Sequence, residues 1–110
     1  MLASYAAGLY DELALKGTMF GHAGDGNLHT VNFALKSDPE QQKNLIKFND
    51  QVVVRAIELG GTCTGEHGVG IGKQKYMVME HGEEAFSVMQ QLKRLFDPTG
   101  ILNPGKVVGG

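Results

Sequence analysis

Three of the four histidines stand in two glycine-rich stretches, Gly21-His22-Ala23-Gly24-Asp25-Gly26-Asn27-Leu28-His29 and Gly65-Glu66-His67-Gly68-Val69-Gly70. Asp25-Gly26 is a signal for a two-residue hairpin turn of type I′, which needs positive φ at both central residues. With that pair as the turn, Gly24 faces Asn27, Ala23 faces Leu28 and His22 faces His29. Directly opposed residues on antiparallel strands have Cβ atoms about 4.5–5.5 Å apart. Two imidazoles so placed on one face can bind a single metal ion, and Glu66 offers an oxygen ligand from elsewhere in the chain. Two nitrogens and a carboxylate suit zinc and also admit manganese. The expectation is one divalent metal on His22, His29 and Glu66.

Each residue also has a plainer reading. A histidine taken singly is more often a hydrogen-bonded structural residue than a ligand, and it is the opposition across the turn that singles out this pair. His81, in Glu80-His81-Gly82, lies at the end of a predicted helix, where it interacts favourably with the helix dipole and needs no other purpose. Asp25 reads as a turn residue and Cys63 as a small buried hydrophobe. Asn103-Pro104-Gly105 reads locally as a turn. The stretch from Gly65 to Lys73 is not a phosphate loop, because the glycine templates need a preceding strand and a long following helix. The Walker type also requires Ser or Thr after Gly-Lys, where Gln74 follows Lys73.

The elements that must position these residues follow from hydrophobic spacing. Leu2, Tyr5, Ala6, Leu9, Leu13 and Lys16 keep helical spacing, and Gly17 sits where a helix C-terminal glycine belongs. Residues 18–35 alternate as a hairpin. In the register above, Phe20, His22, His29, Val31 and Phe33 share one face, while Met19, Ala23, Leu28, Thr30 and Ala34 share the other. Both faces are largely apolar, so the sheet expects two covers, of which the chain's own helices supply one. Ser37-Asp38-Pro39-Glu40 opens a helix with capping-box spacing and an early proline. Its stripe is Leu45, Phe48, Val52, Ala56 and Leu59, and Gly60-Gly61 ends it. Thr62-Cys63-Thr64 is β-prone enough to add a short strand. A short helix over 73–80 and a longer one over 83–96 follow, the latter with Phe86, Met89, Leu92 and Phe96 on one side. Asp97-Pro98-Thr99-Gly100 is a turn before an irregular tail. The order predicts an α+β layer, helices packed on a small antiparallel sheet.

The composition narrows the function classes. A length of 110 residues holds one domain or a piece of one, and a formal charge of −2 without a basic run does not point to nucleic acid. No apolar run approaches a membrane span, and the N-terminus lacks a signal-peptide layout. The single cysteine excludes an internal disulfide framework and fits a reducing, cytoplasmic setting, with any inner-membrane association made through partners. Sixteen glycines cluster in loops without a repeat period, which suits tight turns and close backbone approach.

The run His22-Ala23-Gly24-Asp25-Gly26-Asn27-Leu28-His29, the Gly65-Glu66-His67-Gly68 motif and the ending from Phe96 to Lys106 occur in this order across nearly the whole chain. Together they resemble the C-terminal portion of FAD-linked oxidases of the vanillyl-alcohol-oxidase type, in the branch of the glycolate oxidase flavoprotein subunit and the D-lactate and D-2-hydroxyglutarate dehydrogenases. The resemblance implies a segment of the cap or substrate domain, with FAD held mainly by a separate domain that these residues do not include. It implies His22, His29 and Glu66 as ligands of a divalent metal and His67 as the base that takes the substrate's hydroxyl proton. It also implies that Asn103 lies near the flavin. Val31 falls where some members carry a polar substrate-contacting residue, which leaves the substrate open within the small 2-hydroxy acids. The implied partners are the protein's own FAD-binding domain and other oxidase subunits or an electron-transfer partner. As an isolated piece, the chain is expected to be inactive, with its bare sheet face and tail either covered by self-association or left disordered. The rival reading is a stand-alone metal-binding module with a structural or interaction role.

Overall fold

The computed structural model describes residues 1–109, which divide into two compact units, the first Met1–Gly61 and the second beginning at Thr62. The first unit contains α1 (Leu2–Glu12), β1 (Lys16–Phe20), β2 (His29–Phe33) and α2 (Pro39–Glu58). The second contains α3 (Met77–His81) and α4 (Glu83–Phe96), with a 3₁₀ turn over Gln74–Tyr76 before α3. The α+β class expected from the sequence is the class observed: helices with a two-stranded antiparallel sheet.

In the first unit Ala6 and Leu9 of α1, Phe48 of α2 and, just past the end of α1, Leu13 and Leu15 meet in one cluster. Phe48 is 0% exposed and stacks on Tyr10 with ring centroids 4.6 Å apart. The Tyr10 hydroxyl passes over the sheet and donates to Asn32 Oδ1 at 2.6 Å. That crossing sets the identity of Gly17, where a Cβ would lie 2.5 Å from Tyr10 Cε1 and 2.7 Å from the Val31 carbonyl. Gly17 is therefore a strand residue under a tyrosine, not the helix C-terminal glycine expected from its spacing. The helix ends earlier in a Schellman closure, with Leu15 N–H donating to the Tyr10 carbonyl at 2.9 Å and Ala14 at φ 50°. Ending there lets Leu13 and Leu15 both turn into the core.

Helix α2 follows its sequence signals closely. Asp38 is the N-cap, its carboxylate accepting from Glu40 N–H at 3.0 Å and Gln41 N–H at 3.1 Å, and Pro39 is the first helical residue. Gly60, at φ 82°, and Gly61 end it by the same Schellman pattern, bonding back to the Ile57 and Ala56 carbonyls. Leu59, expected in the buried stripe, is instead an exposed C-cap.

The second unit departs further from expectation. Thr62-Cys63-Thr64 forms no strand, because the Cys63 N–H is taken by the Glu80 carboxylate at 2.8 Å. Helix α4 has the expected span but buries no residue, and Leu92 and Phe96 are 49% and 77% exposed. The buried polar residue of this unit is Asp97, only 6% exposed. Its carboxylate accepts from the Ile101 and Leu102 N–H groups, each at 3.0 Å, and from Lys93 Nζ, which also donates to the Leu102 carbonyl. The tail is laced back through Val107 N–H to the Gly70 carbonyl at 2.7 Å and Gln90 Nε2 to the Val108 carbonyl at 3.1 Å. Among the described residues, no helix is long and apolar enough to cross a membrane.

Candidate functional site

The hairpin register differs by two residues from the one the turn signal predicts. Lys16 pairs with Phe33 and Phe20 pairs with His29, so His22 is not a strand residue and does not face His29 in a ladder. Residues 21–28 instead form a longer connection containing a 3₁₀ turn over Ala23–Asp25. A type I′ turn requires positive φ at both central positions, and here Gly26 alone adopts it, at φ 69°. The loop closes on the His22 carbonyl, which accepts from Asp25 N–H at 3.0 Å and Asn27 N–H at 3.2 Å. Gly21 permits that closure, since a Cβ there would lie 2.0 Å from the Asn27 carbonyl oxygen. Asp25 is the turn residue expected of it.

The loop nevertheless brings the two imidazoles together. Their ring centroids are 6.4 Å apart with planes at 77°, and one nitrogen of each lies within 4.8 Å of the other. Two nitrogens bound at about 2.1 Å to one ion stand roughly 3–4 Å apart, which is the spacing this pair would have to reach to share one. His22 is exposed and His29 half-buried at the edge of the sheet. Phe20 stacks on His29 with centroids 5.2 Å apart and 16° between planes, and Asn27 Nδ2 lies 3.4 Å from His29 Nε2. Neither Phe20 nor Asn27 was singled out by sequence reasoning. The signal for Phe20 was its place on the histidine face, but its pairing depends on the register. Val31 follows on the same face, exposed.

Glu66 and His67 belong to the second unit, where they are neighbours on an exposed turn with Oε1 and Nε2 3.8 Å apart. Thr64 Oγ1 donates to the Gly68 carbonyl at 2.7 Å and ties the turn across its base. Asn103 is exposed, at φ 47°, and its carbonyl accepts from Lys106 N–H at 3.3 Å, which makes it part of the turn its local sequence suggests. Cys63 is a buried hydrophobe as expected. Burial, reinforced by the neighbouring Glu80 carboxylate, pushes its thiol up to about 11, so it is no nucleophile near neutral pH. Glu80 itself is held below the usual carboxylate range: burial opposes ionisation, but hydrogen bonds from the Cys63 backbone and the Thr62 side chain outweigh it. His81 Nε2 lies 3.8 Å from Glu80 Oε1 at the end of α3, in keeping with a structural role.

A two-stranded sheet with helices packed on it and a pair of histidines at the hairpin mouth make this an α+β domain. Residues 2–107 match the family described as FAD linked oxidases, C-terminal domain, and the chain belongs to that family. It is 45% identical over 98 residues to the mitochondrial D-lactate dehydrogenase [cytochrome] of Arabidopsis thaliana, covering 89% of this chain and 17% of that protein. Against the D-lactate dehydrogenase of Anaerostipes hadrus it is 40% identical over 107 residues, 94% of this chain and 22% of that one. Against the glycolate oxidase subunit GlcD of Bacillus subtilis (strain 168) it is 46% identical over 88 residues, 80% of this chain and 19% of that one. The chain thus spans less than a quarter of the length of these curated relatives.

Proposed function

We propose that this chain is the C-terminal domain of an FAD-dependent dehydrogenase or oxidase of small 2-hydroxy acids, contributing a divalent-metal site and a proton-accepting histidine. The observation that carries the reading is the His22/His29 pair at the hairpin mouth of a domain of this family. His22, His29 and Glu66 would hold the ion, zinc or manganese, through two neutral imidazoles and a carboxylate. When bound, the ion would polarise a hydroxyl oxygen and the flavin would accept two electrons. His67 takes the α-hydroxyl proton on an imidazole nitrogen while the α-carbon gives up its hydrogen as hydride, leaving a 2-oxo acid. The exposed turn bearing Glu66 and His67 gives that imidazole access to a small substrate. Asn103 is assigned to the flavin side and Val31 to the substrate side of the site.

The proposed partners are the flavin-binding domain of the same polypeptide and an oxidase subunit or electron-transfer protein that takes the electrons onward. The lone cysteine fits a reducing, cytoplasmic setting, and any membrane contact would come through such partners.

Single-turnover flavin reduction in the full-length protein tests this. His67→Asn should keep its flavin and metal yet reduce flavin about 10²–10⁴-fold more slowly with a 2-hydroxy acid. His22→Ala should lose metal and activity together, with part of the activity restored by excess Zn²⁺ or Mn²⁺. Flavin reduction at the wild-type rate in His67→Asn would remove the proton-acceptor role. Stoichiometric metal with no 2-hydroxy-acid turnover would favour a metal-binding module instead.

A further inference from the structure

Phe20 is a large aromatic side chain, 58% exposed, at the last position of β1. The core makes no use of it, and an exposed phenyl ring contributes little to folding. The register places it directly opposite His29, where its ring lies nearly parallel to the imidazole at a centroid distance of 5.2 Å. A stacked ring resists tilting of its neighbour out of plane but leaves it free to turn within that plane. Asn27 Nδ2 lies 3.4 Å from His29 Nε2 at the ring's edge, a contact that an ion taking that nitrogen would displace, so the stack is what orders the ring. The plane of the His29 imidazole stands at 77° to that of His22.

We propose that Phe20 is a positioning residue for His29: by stacking across the hairpin it orders the imidazole before a divalent ion binds. The inference rests on the reading of His22 and His29 as ligands and deepens it by naming what orients one of them. Ordering a ligand in advance raises affinity because the ion does not have to restrict the ring on binding. Phe33 supplies an internal control. It lies on the same sheet face, is 64% exposed, and pairs with Lys16 at the far end of the hairpin.

The experiment is Zn²⁺ affinity of the full-length protein, measured by competition with a chromophoric chelator, with Co²⁺ absorption as a spectroscopic signature and thermal melting alongside. Phe20→Leu should weaken Zn²⁺ binding about tenfold, the low end for residues supporting a ligand, and alter the Co²⁺ spectrum. Phe20→Tyr, which keeps the stacked ring, should restore both. Phe33→Leu should bind both ions as the wild type does. Wild-type affinity in Phe20→Leu, or equal weakening in Phe20→Leu and Phe33→Leu, would overturn the proposal while leaving the ligand pair intact. His29→Ala with undiminished Zn²⁺ binding would instead overturn the ligand reading, and Phe20's role with it. Should Phe20→Leu melt early, the Phe20→Tyr spectrum decides alone: a Co²⁺ spectrum unlike the wild type despite an intact ring overturns the role.

Discussion

The two units hold their chain in different ways. Met1–Gly61 has an apolar core in which α1, α2 and the residues just after α1 bury Ala6, Leu9, Leu13, Leu15 and Phe48. Thr62–Gly110 buries Cys63, Tyr76, Met77 and Val108, and its longest helix buries nothing. Side chains bound to main-chain groups take over: Glu80 on Cys63, Asp97 on Ile101 and Leu102, Gln90 on Val108. A hydrogen bond to a charged group contributes about 1.5–3 kcal/mol net, similar to the roughly 1.5–3 kcal/mol for burying one large apolar side chain. The first unit is held by area and the second by directed polar contacts. The second suits glycine-rich loops, because it fixes backbone without requiring bulky side chains beside it.

The largest expected effect breaks the first mode directly. Phe48→Ala removes a fully buried ring and its stack on Tyr10, and should cost about 3–5 kcal/mol in chemical denaturation. A cost under 1 kcal/mol would show that area is not what holds this unit. Next is Gly21→Ala, whose new Cβ would overlap the Asn27 carbonyl oxygen. It should destabilise by about 1–3 kcal/mol and lower metal content by pulling His22 from His29. Gly24→Ala, with nothing near its added Cβ, should do neither, and the pair can be compared by metal analysis and melting.

Smaller is the loss of the α2 cap. Asp38→Ala leaves the Glu40 and Gln41 N–H groups without their carboxylate and should cost about 1 kcal/mol.

Acid tests the polar mode. Lys93 and the Leu102 and Ile101 N–H groups hold the Asp97 carboxyl below the usual aspartate range, against the opposing effect of burial. A carboxyl whose folded pKa is depressed contributes stability above its unfolded value, about 3.9, and loses it as pH falls towards the folded value. Protection of the Ile101 and Leu102 amides, relative to the free-chain exchange rate at each pH, should therefore fall below about pH 4, a loss that Asp97→Asn should remove. The smallest effect should be Leu92→Ala, which truncates an exposed side chain of α4 and should shift stability by no more than about 0.5 kcal/mol. A larger cost would mean that this face is packed in the folded protein and would narrow the contrast between the units.

Much of the first unit was legible because its information is local. The Asp38-Pro39 start and Gly60-Gly61 end of α2 are decided by groups within a few residues of one another, and both ends stand where the sequence puts them. The chemistry of His22, His29, Glu66 and His67 as candidate ligands and base is likewise a property of residue type and order. The early end of α1 was hidden because it follows from the burial of Leu15 and the passage of Tyr10 over Gly17, contacts made across the fold. In the second unit the polar contacts of Glu80 and Asp97 leave no hydrophobic period, so the lost strand at Cys63 and the exposed face of α4 were equally hidden.

The hairpin separates the two sources of information most clearly. Alternation of apolar residues determined which side chains share a face, and Phe20, His29, Val31 and Phe33 do share one. It could not choose the register, because a slip of two residues returns every side chain to the same face and leaves the pattern unchanged. Tertiary structure made that choice: the Gly21–Asn27 approach and the left-handed Gly26 close a longer loop. That placed Phe20 rather than His22 opposite His29 and returned His22 to its partner from the loop side.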